Sequence, residues 1–427
     1  MTPNTFVRAS TPSRWIRSLL KSLGPGIITG AADDDPSGIA TYSVAGAQLG
    51  TKLLWTALLT WPLMAAVQMM CARIGMVTGQ GLAGNFRLRF PRWILLVFVV
   101  ALLIANTINI AADLAGMADA AAMLSGINSH WFVIAFALVI SWATVRLQYQ
   151  QIANALKWLV LVLFAYPVTA FVVGADWGQV LRATVIPSMP HTRADWATLV
   201  AILGTTISPY LFFWQASEEV EEEKSAGQTS LALRRGATPE ELELRNIDVG
   251  VGAFFSNAVM FFIILTTAIT LNKHGIVNIE TSRQAAEALR PLAGNFAATL
   301  FTLGIVGVGF LAIPTLAGSA AYAFAETLGW RQGLNKKLKQ ARWFYALILV
   351  STAAGVALDF IGINPVKALY WTAVINGLLA PFLLVAILIV AADNKLMQGQ
   401  PSSRLGWTVV ALTTVAMFAA GVAMFVV

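Results

Sequence analysis

The sequence predicts an all-α integral membrane protein with eleven transmembrane helices. Of its 427 residues, 57% are hydrophobic and only 11% are charged, whereas soluble domains carry about 25% charged residues. Two short polar breaks interrupt the first and the sixth of eleven apolar runs, and each run is long enough to cross a hydrocarbon core of about 30 Å. The runs are 24–49, 52–76, 93–122, 130–147, 152–174, 196–217, 247–271, 294–324, 341–360, 366–391 and 405–426.

The two breaks have the composition of helices that open inside the membrane. The first, 33–38, has the sequence DDDPSG, and the second, 208–210, has the sequence SPY. Proline removes a helix hydrogen bond, and open backbone at membrane depth is tolerated only where its carbonyls meet protein, water or an ion. Because the first break carries three aspartates, we expect the bound species to be a cation.

The breaks divide the chain into two repeats of five spans and one additional helix. Repeat one covers about 22–174, repeat two covers about 195–394, and the extra helix is 405–426. Since each repeat has an odd number of spans, the two repeats must have opposite orientations. Inverted repeats with broken helices are typical of transporters that bind substrate near the membrane midplane. The whole chain, 1–427, is therefore predicted to form a single transmembrane transport domain.

The loop charges predict the orientation of the chain in the cell (inner or plasma) membrane. By the positive-inside rule, the basic loops and the N-terminus are cytoplasmic, so eleven spans leave the C-terminus outside. This distribution also explains the net charge of +7 by anionic lipid headgroups and not by nucleic acid. The basic residues precede the first span, separate the second from the third, and precede the ninth; they are Arg8, Arg14, Arg17, Lys21, Arg87, Arg89, Arg92, Arg331, Lys336, Lys337, Lys339 and Arg342.

The longest polar segment between spans is 218–246, which is predicted to be cytoplasmic. It begins with five glutamates among six residues and continues to the pair Arg234 and Arg235. The simpler interpretation is a solvated helical extension followed by a loop. The alternative is a second metal site.

Asp35 is the strongest candidate for a direct cation ligand. Its carboxylate immediately precedes Pro36, where the helix must open, and a charge at membrane depth is costly unless it has a partner or a function. Asp33 and Asp34 point elsewhere, because successive helical residues are separated by about 100°. They either hold hydration water and shape the field of the vestibule or simply face a water-filled cavity.

At the second break, Thr205, Ser208 and Tyr210 surround Pro209. Carbonyl groups freed by this proline and the Ser208 hydroxyl are oxygen ligands that suit a cation. Alternatively, Thr205 and Ser208 only restore local backbone hydrogen bonds, which such residues commonly do in membrane helices. Gln215 lies about two helical turns further on and is placed to line the exit path.

The third span carries a polar stripe formed by Asn106, Asn109 and Asp113. Their spacing of i, i+3 and i+7 places them on one face of a helix. This face either lines the transport cavity or packs against the broken helices. Adhesion between helices through the asparagines is the alternative interpretation.

The residue types around both breaks favour a hard cation. All the candidate ligands are oxygen atoms, which Mg²⁺, Ca²⁺ and Mn²⁺ prefer. His130, His191 and His274 all fall in predicted outer loops, so a histidine proton relay within the spans is not expected. The chain carries no nucleotide-binding or hydrolase motif. We therefore expect no enzymatic activity, no cofactor and no obligate protein partner; the expected partners are the transported cation and the lipid bilayer.

Several short motifs, in order along nearly the whole chain, resemble those of the Nramp divalent-metal transporters. They are Gly24-Pro25-Gly26 ahead of Asp35-Pro36, Leu53-Leu54-Trp55, Ala72-Arg73-Ile74-Gly75 with Thr78-Gly79, Asp113-Leu114-Ala115, Pro291-Leu292-Ala293-Gly294, Thr315-Leu316-Ala317-Gly318 and Pro381-Phe382. The resemblance implies a LeuT-type fold, a 5+5 inverted repeat with broken helices 1 and 6. It also implies inward movement of divalent cations by alternating access, with Asp35 and the Thr205 carbonyl as ligands.

The chain departs from the Nramp pattern at the positions that select the metal. Where the family hallmark Asp-Pro-Gly-Asn has glycine and asparagine, this chain has Ser37 and Gly38, and where the family has Met-Pro-His it has residues 208–210, SPY. A second family histidine is replaced by Gln215, and an acidic residue is replaced by Gly116. The resulting pattern of residues resembles that of the Nramp-related magnesium transporter branch. Fewer direct ligands suit an ion that keeps several waters.

The sequence therefore leads to one main hypothesis with two alternatives. The main hypothesis is a secondary transporter or facilitator that imports a divalent cation, Mg²⁺ in preference to Mn²⁺, without proton coupling. Asp35 binds the ion, and Ser208 with the carbonyls near Thr205 and Gly38 completes the site. The first alternative is a proton-coupled Mn²⁺ or Fe²⁺ importer with a divergent site. The second is a sodium-coupled amino-acid carrier on the same fold, although three aspartates would repel the carboxylate of such a substrate.

Overall fold

The computed structural model describes Gly30, residues 33–147, Gln151 and residues 161–427, and all regular structure in these residues is helical. Short 3₁₀ turns are formed by Gly50–Leu53, Leu161–Phe164, Asn272–His274, Glu287–Leu289 and Gly294–Phe296. The α-helices are α1 (Pro36–Leu49), α2 (Trp55–Thr78), α3 (Leu82–Arg89), α4 (Arg92–Ser125), α5 (Ser129–Arg146), α6 (Ala165–Val173), α7 (Trp177–Val185), α8 (Arg193–Thr206), α9 (Pro209–Ser225), α10 (Pro239–Thr270), α11 (Ser282–Ala286), α12 (Arg290–Ala293), α13 (Ala297–Leu328), α14 (Arg342–Asp359), α15 (Pro365–Ala392) and α16 (Arg404–Val426).

Nine helical stretches in the described part of the chain are long and apolar enough to cross a membrane. They correspond to nine of the eleven predicted spans, with α8 and α9 together forming the sixth. The other two predicted spans, 24–49 and 152–174, lie partly outside the described residues, so the total of eleven stays a prediction. The all-helical membrane architecture is confirmed.

One clear difference from the predicted boundaries is at the start of α10, which begins at Pro239 and not at 247. Thr238 and Glu241 form a capping box, in which each side chain accepts a hydrogen bond from the backbone N–H of the other. Such a box satisfies two free donors at the helix start, and proline at the first position is already in the helical conformation. The helix therefore starts in the polar segment that precedes the apolar run.

Both predicted breaks are present and have the same construction. Asp35 has extended backbone (φ −69°, ψ 171°) and α1 begins at Pro36; Ser208 has extended backbone (φ −83°, ψ 132°) and α9 begins at Pro209. Proline disfavours the helical conformation in the residue before it. Since proline also lacks an N–H, the Thr205 carbonyl has no backbone donor four residues later.

Close helix packing positions the two half-helices that follow and precede the breaks. α1 packs against α10 and α15, and α8 packs against α15 and α16, while α4 packs against α13, α14 and α15. A Cβ atom at Gly46 of α1 would collide with the Ile264 carbonyl of α10. A Cβ atom at Gly204 of α8 would collide with the Ala373 carbonyl of α15. Small residues of this kind let membrane helices approach closely.

The predicted helical extension after the sixth span is confirmed, because α9 continues to Ser225. It is not simply solvated, since Glu219 is only 1% exposed. Arg245 of α10 pairs with Glu219 (Nε to Oε2, 2.8 Å), with Asp248 (Nη1 to Oδ2, 2.7 Å) and with Glu222. Within the described residues, no group of three or more His, Cys, Asp or Glu has the geometry to hold a metal. The acidic segment is thus tied to α10 by an arginine, and the alternative of a second metal site receives no support.

Candidate cation site

Asp35 lies at the first break and is held in place from two directions. Its Oδ1 accepts hydrogen bonds from the Gly38 backbone N–H and the Ser37 hydroxyl, both at 2.7 Å. Its Oδ2 accepts one from the Asn109 amide at 3.0 Å. An ionised carboxylate oxygen can accept about two hydrogen bonds, and the Asn109 amide supplies one of them to Oδ2. Asp35 is 2% exposed, so any further contact to Oδ2 would come from within the protein interior.

Asn109 is itself oriented by a third helix. Its Oδ1 accepts a hydrogen bond of 3.0 Å from the Thr372 hydroxyl of α15, while its Nδ2 donates to Asp35. The three residues therefore connect α15, α4 and α1 through one buried chain of hydrogen bonds. A carboxylate fixed in this way is prepared for a ligand before the ligand arrives.

Gly38 contacts Asp35 through its backbone N–H and lies in the first turn of α1. No contact in the described residues places its carbonyl at the break. The sequence-based proposal that this carbonyl binds the cation therefore stays a prediction, and the structure adds a different role, which is to orient Asp35.

Asp113 is the second carboxylate on this side of the site. It lies one helical turn beyond Asn109, is fully buried, and is within electrostatic range of Asp35. Its carboxylate faces the backbone N–H of Ser37, but neither oxygen makes a hydrogen bond of normal geometry with a described residue. Of the predicted polar stripe, Asn109 and Asp113 thus face the first break.

Two side chains of the second break, those of Thr205 and Tyr210, lie close to residues of the first break. The Thr205 hydroxyl and the Tyr42 hydroxyl of α1 are 3.0 Å apart, which joins α8 to α1. Tyr210, in the first turn of α9, is 1% exposed and lies within electrostatic range of Asp35, Asp33 and Asp113. The structure therefore brings Tyr210 and Thr205 together with the first break.

Ser208 restores the hydrogen bonding that Pro209 interrupts. Its hydroxyl lies 2.7 Å from the Gly204 carbonyl oxygen and 2.6 Å from the Thr205 carbonyl oxygen, and donates into this pair. This matches the alternative interpretation of local repair. A carbonyl oxygen has a second lone pair and a hydroxyl can still accept, so both the Thr205 carbonyl and the Ser208 hydroxyl remain usable by a cation.

Asp33 and Asp34 diverge from Asp35 and face α10. The Ser256 hydroxyl lies 2.5 Å from Oδ2 of Asp33 and 3.3 Å from Oδ1 of Asp34. Oδ1 of Asp33 is buried and has no partner among the described residues. Within the described residues, these two aspartates thus contact α10, whereas Asp35 contacts Asn109 of α4.

Two residues of the predicted set have their described contacts with residues other than those at the first break. Asn106 donates from Nδ2 to the Leu316 carbonyl (2.8 Å) and the Ser319 hydroxyl (2.9 Å) of α13, which matches the interpretation of helix adhesion. Gln215 donates from Nε2 to Oε1 of Glu219 at 2.6 Å. Its described contact is thus with the part of α9 that extends beyond the predicted span and not with the break.

The structure adds four residues that the sequence did not single out as site residues. Ser37 and Thr372 orient Asp35 and Asn109, while Ser256 contacts the other aspartates and Tyr42 contacts Thr205. Ser256 had a detectable signal, because it and its neighbour Asn257 form a polar pair inside the apolar run 247–271. Thr372 had none, since a threonine in a membrane helix usually bonds to its own backbone.

The buried carboxylates of the site favour the binding of a cation. Asp33, Asp34, Asp35 and Asp113 are each at most 2% exposed. Among the described residues, none of the four forms an ion pair with Lys, Arg or His. Buried charges without partners are strongly destabilising, and carboxylates at membrane depth usually mark ion pathways. A cation bound among them would offset this cost.

Comparison with known proteins identifies the family. The family model for natural resistance-associated macrophage protein-like proteins, Nramp, matches residues 26–427. The chain belongs to the Nramp family.

Relatives of this Nramp chain include two proteins named divalent metal cation transporter MntH. That of Caldanaerobacter subterraneus subsp. tengcongensis is 28% identical over 400 residues, which cover 90% of this chain and 87% of the relative. That of Yersinia enterocolitica is 29% identical over 325 residues, which cover 72% of this chain and 74% of the relative.

Solved structures confirm the LeuT-type fold of this Nramp chain. It is similar to a manganese transporter of Eremococcus coleocola, with a TM-score of 0.77 and 18% sequence identity over 99% of this chain and 90% of that one. It is also similar to the nucleobase-cation-symport-1 family transporter Mhp1 in a closed conformation. There the TM-score is 0.59 and the identity is 13%, over 94% of this chain and 90% of that one.

Proposed function

We propose that this Nramp protein imports a divalent metal cation across the cell membrane, with Mg²⁺ preferred and Mn²⁺ as a second cargo. The observation that carries the proposal is Asp35, a buried carboxylate at the first helix break whose Oδ2 accepts one hydrogen bond from the Asn109 amide. The similarity to proteins named divalent metal cation transporter supports the class of cargo. A sodium-coupled amino-acid carrier is disfavoured, since the buried carboxylates around Asp35 would repel its substrate.

The preference for Mg²⁺ rests on the small number and the hardness of the ligands. Oδ2 of Asp35, the Ser208 hydroxyl and the Thr205 carbonyl are the oxygen atoms that we assign to the ion, with the Gly38 carbonyl as a fourth candidate. Residues 33–38 and 205–210 contain neither methionine nor cysteine nor histidine. Mg²⁺ dehydrates reluctantly and usually keeps several waters, so a site with few protein ligands suits it.

Asp33 and Asp34 contribute charge, in this proposal, without touching the ion. Their described contacts are with Ser256 of α10, and a partly hydrated dication would be attracted by their field across water. This assigns to Asp35 the role of the ligand and to its two neighbours the role of concentrating cations near the break.

Transport requires that the buried site open to each side in turn. Asp35, Thr205 and Ser208 are at most 3% exposed. A separate cavity of about 660 Å³ lies between the far end of α1, the start of α8 and the start of α15, and is lined by residues that include Val44 and Tyr370. We assign this cavity to the outer vestibule, under the orientation predicted from the loop charges.

Uncoupled movement of the cation is our proposal, and one observation favours the alternative. The proposal rests on the predicted placement of the three histidines outside the interior of the spans. The prediction of a loop is wrong for His130, which lies in the first turn of α5 and contacts Asp359. The alternative, a proton-coupled Mn²⁺ or Fe²⁺ importer, is favoured by Asp113, whose buried carboxylate makes no normal hydrogen bond with the described residues. A carboxylate in that position is able to take up a proton and release it.

Uptake of Mg²⁺ by the purified protein in liposomes tests the proposal. Asp35→Asn keeps an oxygen for the hydrogen bonds from Gly38 and Ser37 but removes the charge. We expect uptake at subsaturating Mg²⁺ to fall at least about tenfold, because about 1.4 kcal/mol of lost ion binding already corresponds to that factor. Asp119→Asn is the control, since it neutralises a different aspartate, one that lies on α4 and accepts a hydrogen bond from the Ser282 N–H.

Two outcomes would contradict the proposal. Unchanged Mg²⁺ uptake in Asp35→Asn would remove the site assignment. Acidification of the liposome interior in step with metal uptake, followed with a pH-sensitive dye, would contradict uncoupled transport, and its loss in Asp113→Asn would establish the proton-coupled alternative.

A further inference from the structure

A groove of about 440 Å³ lies on the surface of the helix bundle, away from the cation site. Its walls come from α2, α10 and the start of α16, and they include Trp61, Ala66, Met69 and Leu405. Trp61 is 38% exposed and Leu405 is 76% exposed, so the groove opens outward. In a membrane-spanning protein, an apolar surface of this kind faces lipid.

Arg73 is the single charged side chain among the described residues that line the groove. Its Nε donates to the Gln400 carbonyl at 3.2 Å. Within the described part of the chain it makes no ion pair and no second hydrogen bond, whereas a guanidinium carries five N–H donors. The half-buried Arg73 is therefore a cation with free donors and without a counter-ion at the end of an apolar groove.

Further donors lie at the same end of the groove as Arg73. The Ser402 hydroxyl is buried and has no hydrogen-bond partner among the described residues. Ser403 caps α16 by accepting a hydrogen bond of 3.1 Å from the Gly406 N–H, and the first N–H groups of a helix favour an anion. Arg73, Ser402 and the start of α16 thus form a polar end, while the rest of the groove is mainly apolar.

The position of this polar end agrees with the membrane orientation predicted from the loop charges. The Gly236 N–H donates to the Val77 carbonyl at 2.9 Å near the end of α2, and the Ala237 N–H donates to Oε1 of Gln400 at 3.2 Å. The end of α2 and the starts of α10 and α16 therefore meet on one side, which the loop charges predict to be cytoplasmic. Anionic lipids are concentrated in the cytoplasmic leaflet.

We propose that this groove binds an anionic phospholipid. The lipid phosphate contacts Arg73, Ser402 and the N-terminus of α16, and an acyl chain lies along the apolar wall that includes Ala66 and Met69. A soluble anion would use only the polar end and leave the apolar wall empty. An amphiphile with one negative headgroup matches both parts, and basic pockets between transmembrane helices on the cytoplasmic side are known to suit such headgroups.

A thermal-shift titration of the full-length protein in detergent tests the proposal, with phosphatidylglycerol and phosphatidylcholine as the two probes. We expect phosphatidylglycerol to stabilise the wild type more than phosphatidylcholine does. In Arg73→Gln the apparent affinity for phosphatidylglycerol should fall about fivefold, which is the contribution of one basic side chain to binding an anionic headgroup. Ala66→Trp fills the groove, retains Arg73, and should lose the response to the same lipid.

The control is Arg92→Gln, which removes an exposed arginine outside the groove at the start of α4 and should respond as the wild type does. If Arg73→Gln folds too poorly to titrate, Ala66→Trp alone decides between the outcomes. A wild-type response in Ala66→Trp would overturn the proposal, as would a response in Arg73→Gln equal to that of Arg92→Gln. Equal stabilisation by glycerol phosphate would also overturn it, because it would show a site for soluble anions.

Discussion

At the scale of single residues, Asp35 and Ser208 share one backbone arrangement, an extended residue followed by a proline. Both residues have extended backbone and precede a proline that starts a helix. Asp35 also caps its helix with Oδ1, and negative charge at a helix N-terminus is favourable. A cation would therefore bind to Oδ2, which favours monodentate over bidentate coordination by the Asp35 carboxylate.

Replacing Ser208 by methionine tests whether the missing thioether sets the metal preference. Ser208→Met places a soft ligand at the break and keeps the extended backbone that Pro209 requires. We expect Mn²⁺ uptake in liposomes to become less sensitive to competing Mg²⁺, since a thioether favours transition metals over Mg²⁺. The variant loses the hydroxyl contacts to Gly204 and Thr205, at a cost to stability of about 0.5–1.5 kcal/mol.

Ser208→Ala is the control for this prediction, because it removes the same hydroxyl without adding sulfur. If Ser208→Met and Ser208→Ala respond alike to Mg²⁺ competition, the thioether has no effect and the proposed basis of selectivity is wrong.

The role of a residue could be predicted where its side-chain chemistry and a break in the backbone occur at the same position. It could not be predicted where the role depends on which neighbouring helix supplies the hydrogen-bond partner. Asp35 could be singled out because its carboxylate immediately precedes a proline break inside an apolar run, and the structure places it at that break as the N-cap of α1. The roles of Asn106 and Asn109 were not separable, since a spacing of i and i+3 puts both on one face. The structure divides them: Asn109 bonds to α1 and α15, whereas Asn106 bonds to α13. That division depends on which helices lie on each side of α4.

At the scale of helices, close approach between α1 and α10 holds the first break in place. Gly46 lies against the Ile264 carbonyl and the Thr267 hydroxyl of α10, with no space for a Cβ atom. α1 is only 14 residues long, so this contact fixes the direction in which its N-terminus, and hence Asp35, points. The packing thus links a helix interface to the geometry of the cation site.

Gly46→Ala should destabilise the protein through this interface. Backbone on the opposite helix cannot move aside as a flexible side chain can, and overpacking of this kind costs about 1–3 kcal/mol. We expect a lower thermal midpoint and reduced Mg²⁺ uptake. Gly304→Ala in α13 is the control, because a Cβ atom there meets its nearest neighbours at 3.6 and 3.7 Å. Equal thermal midpoints for the two variants would show that the contact at Gly46 is not close packed.

Helix positions were largely predictable from the apolar runs, and the failures have a common cause. Helices such as α3 and α7 are short and are not part of any run long enough to span a bilayer. α10 extends into a polar segment because of its capping box. Both features depend on hydrogen bonds at helix ends, which average hydropathy does not detect. The breaks were predictable because proline marks them directly.

At the scale of the whole molecule, the two breaks meet at one buried place. Hydrogen bonds connect α1 to α4 through Asp35 and Asn109, and α1 to α8 through Tyr42 and Thr205. Asp33 and Asp34 face a third helix, α10. Movement of α1 relative to its neighbours would therefore change three things together. These are the set of ligands around the cation, the electrostatic field of the aspartates, and the route by which the cation reaches the site. We propose that transport by this chain would depend on this shared position.

Anomalous X-ray scattering from a crystal of the protein soaked with Mn²⁺ tests the central claim most directly. We predict one strong peak between the two breaks, bonded to Oδ2 of Asp35, with water molecules completing its coordination shell. Mg²⁺ added in excess should remove the peak. A Mn²⁺ ion bound only by protein ligands would contradict the partly hydrated site, and a peak away from Asp35 would contradict the account as a whole.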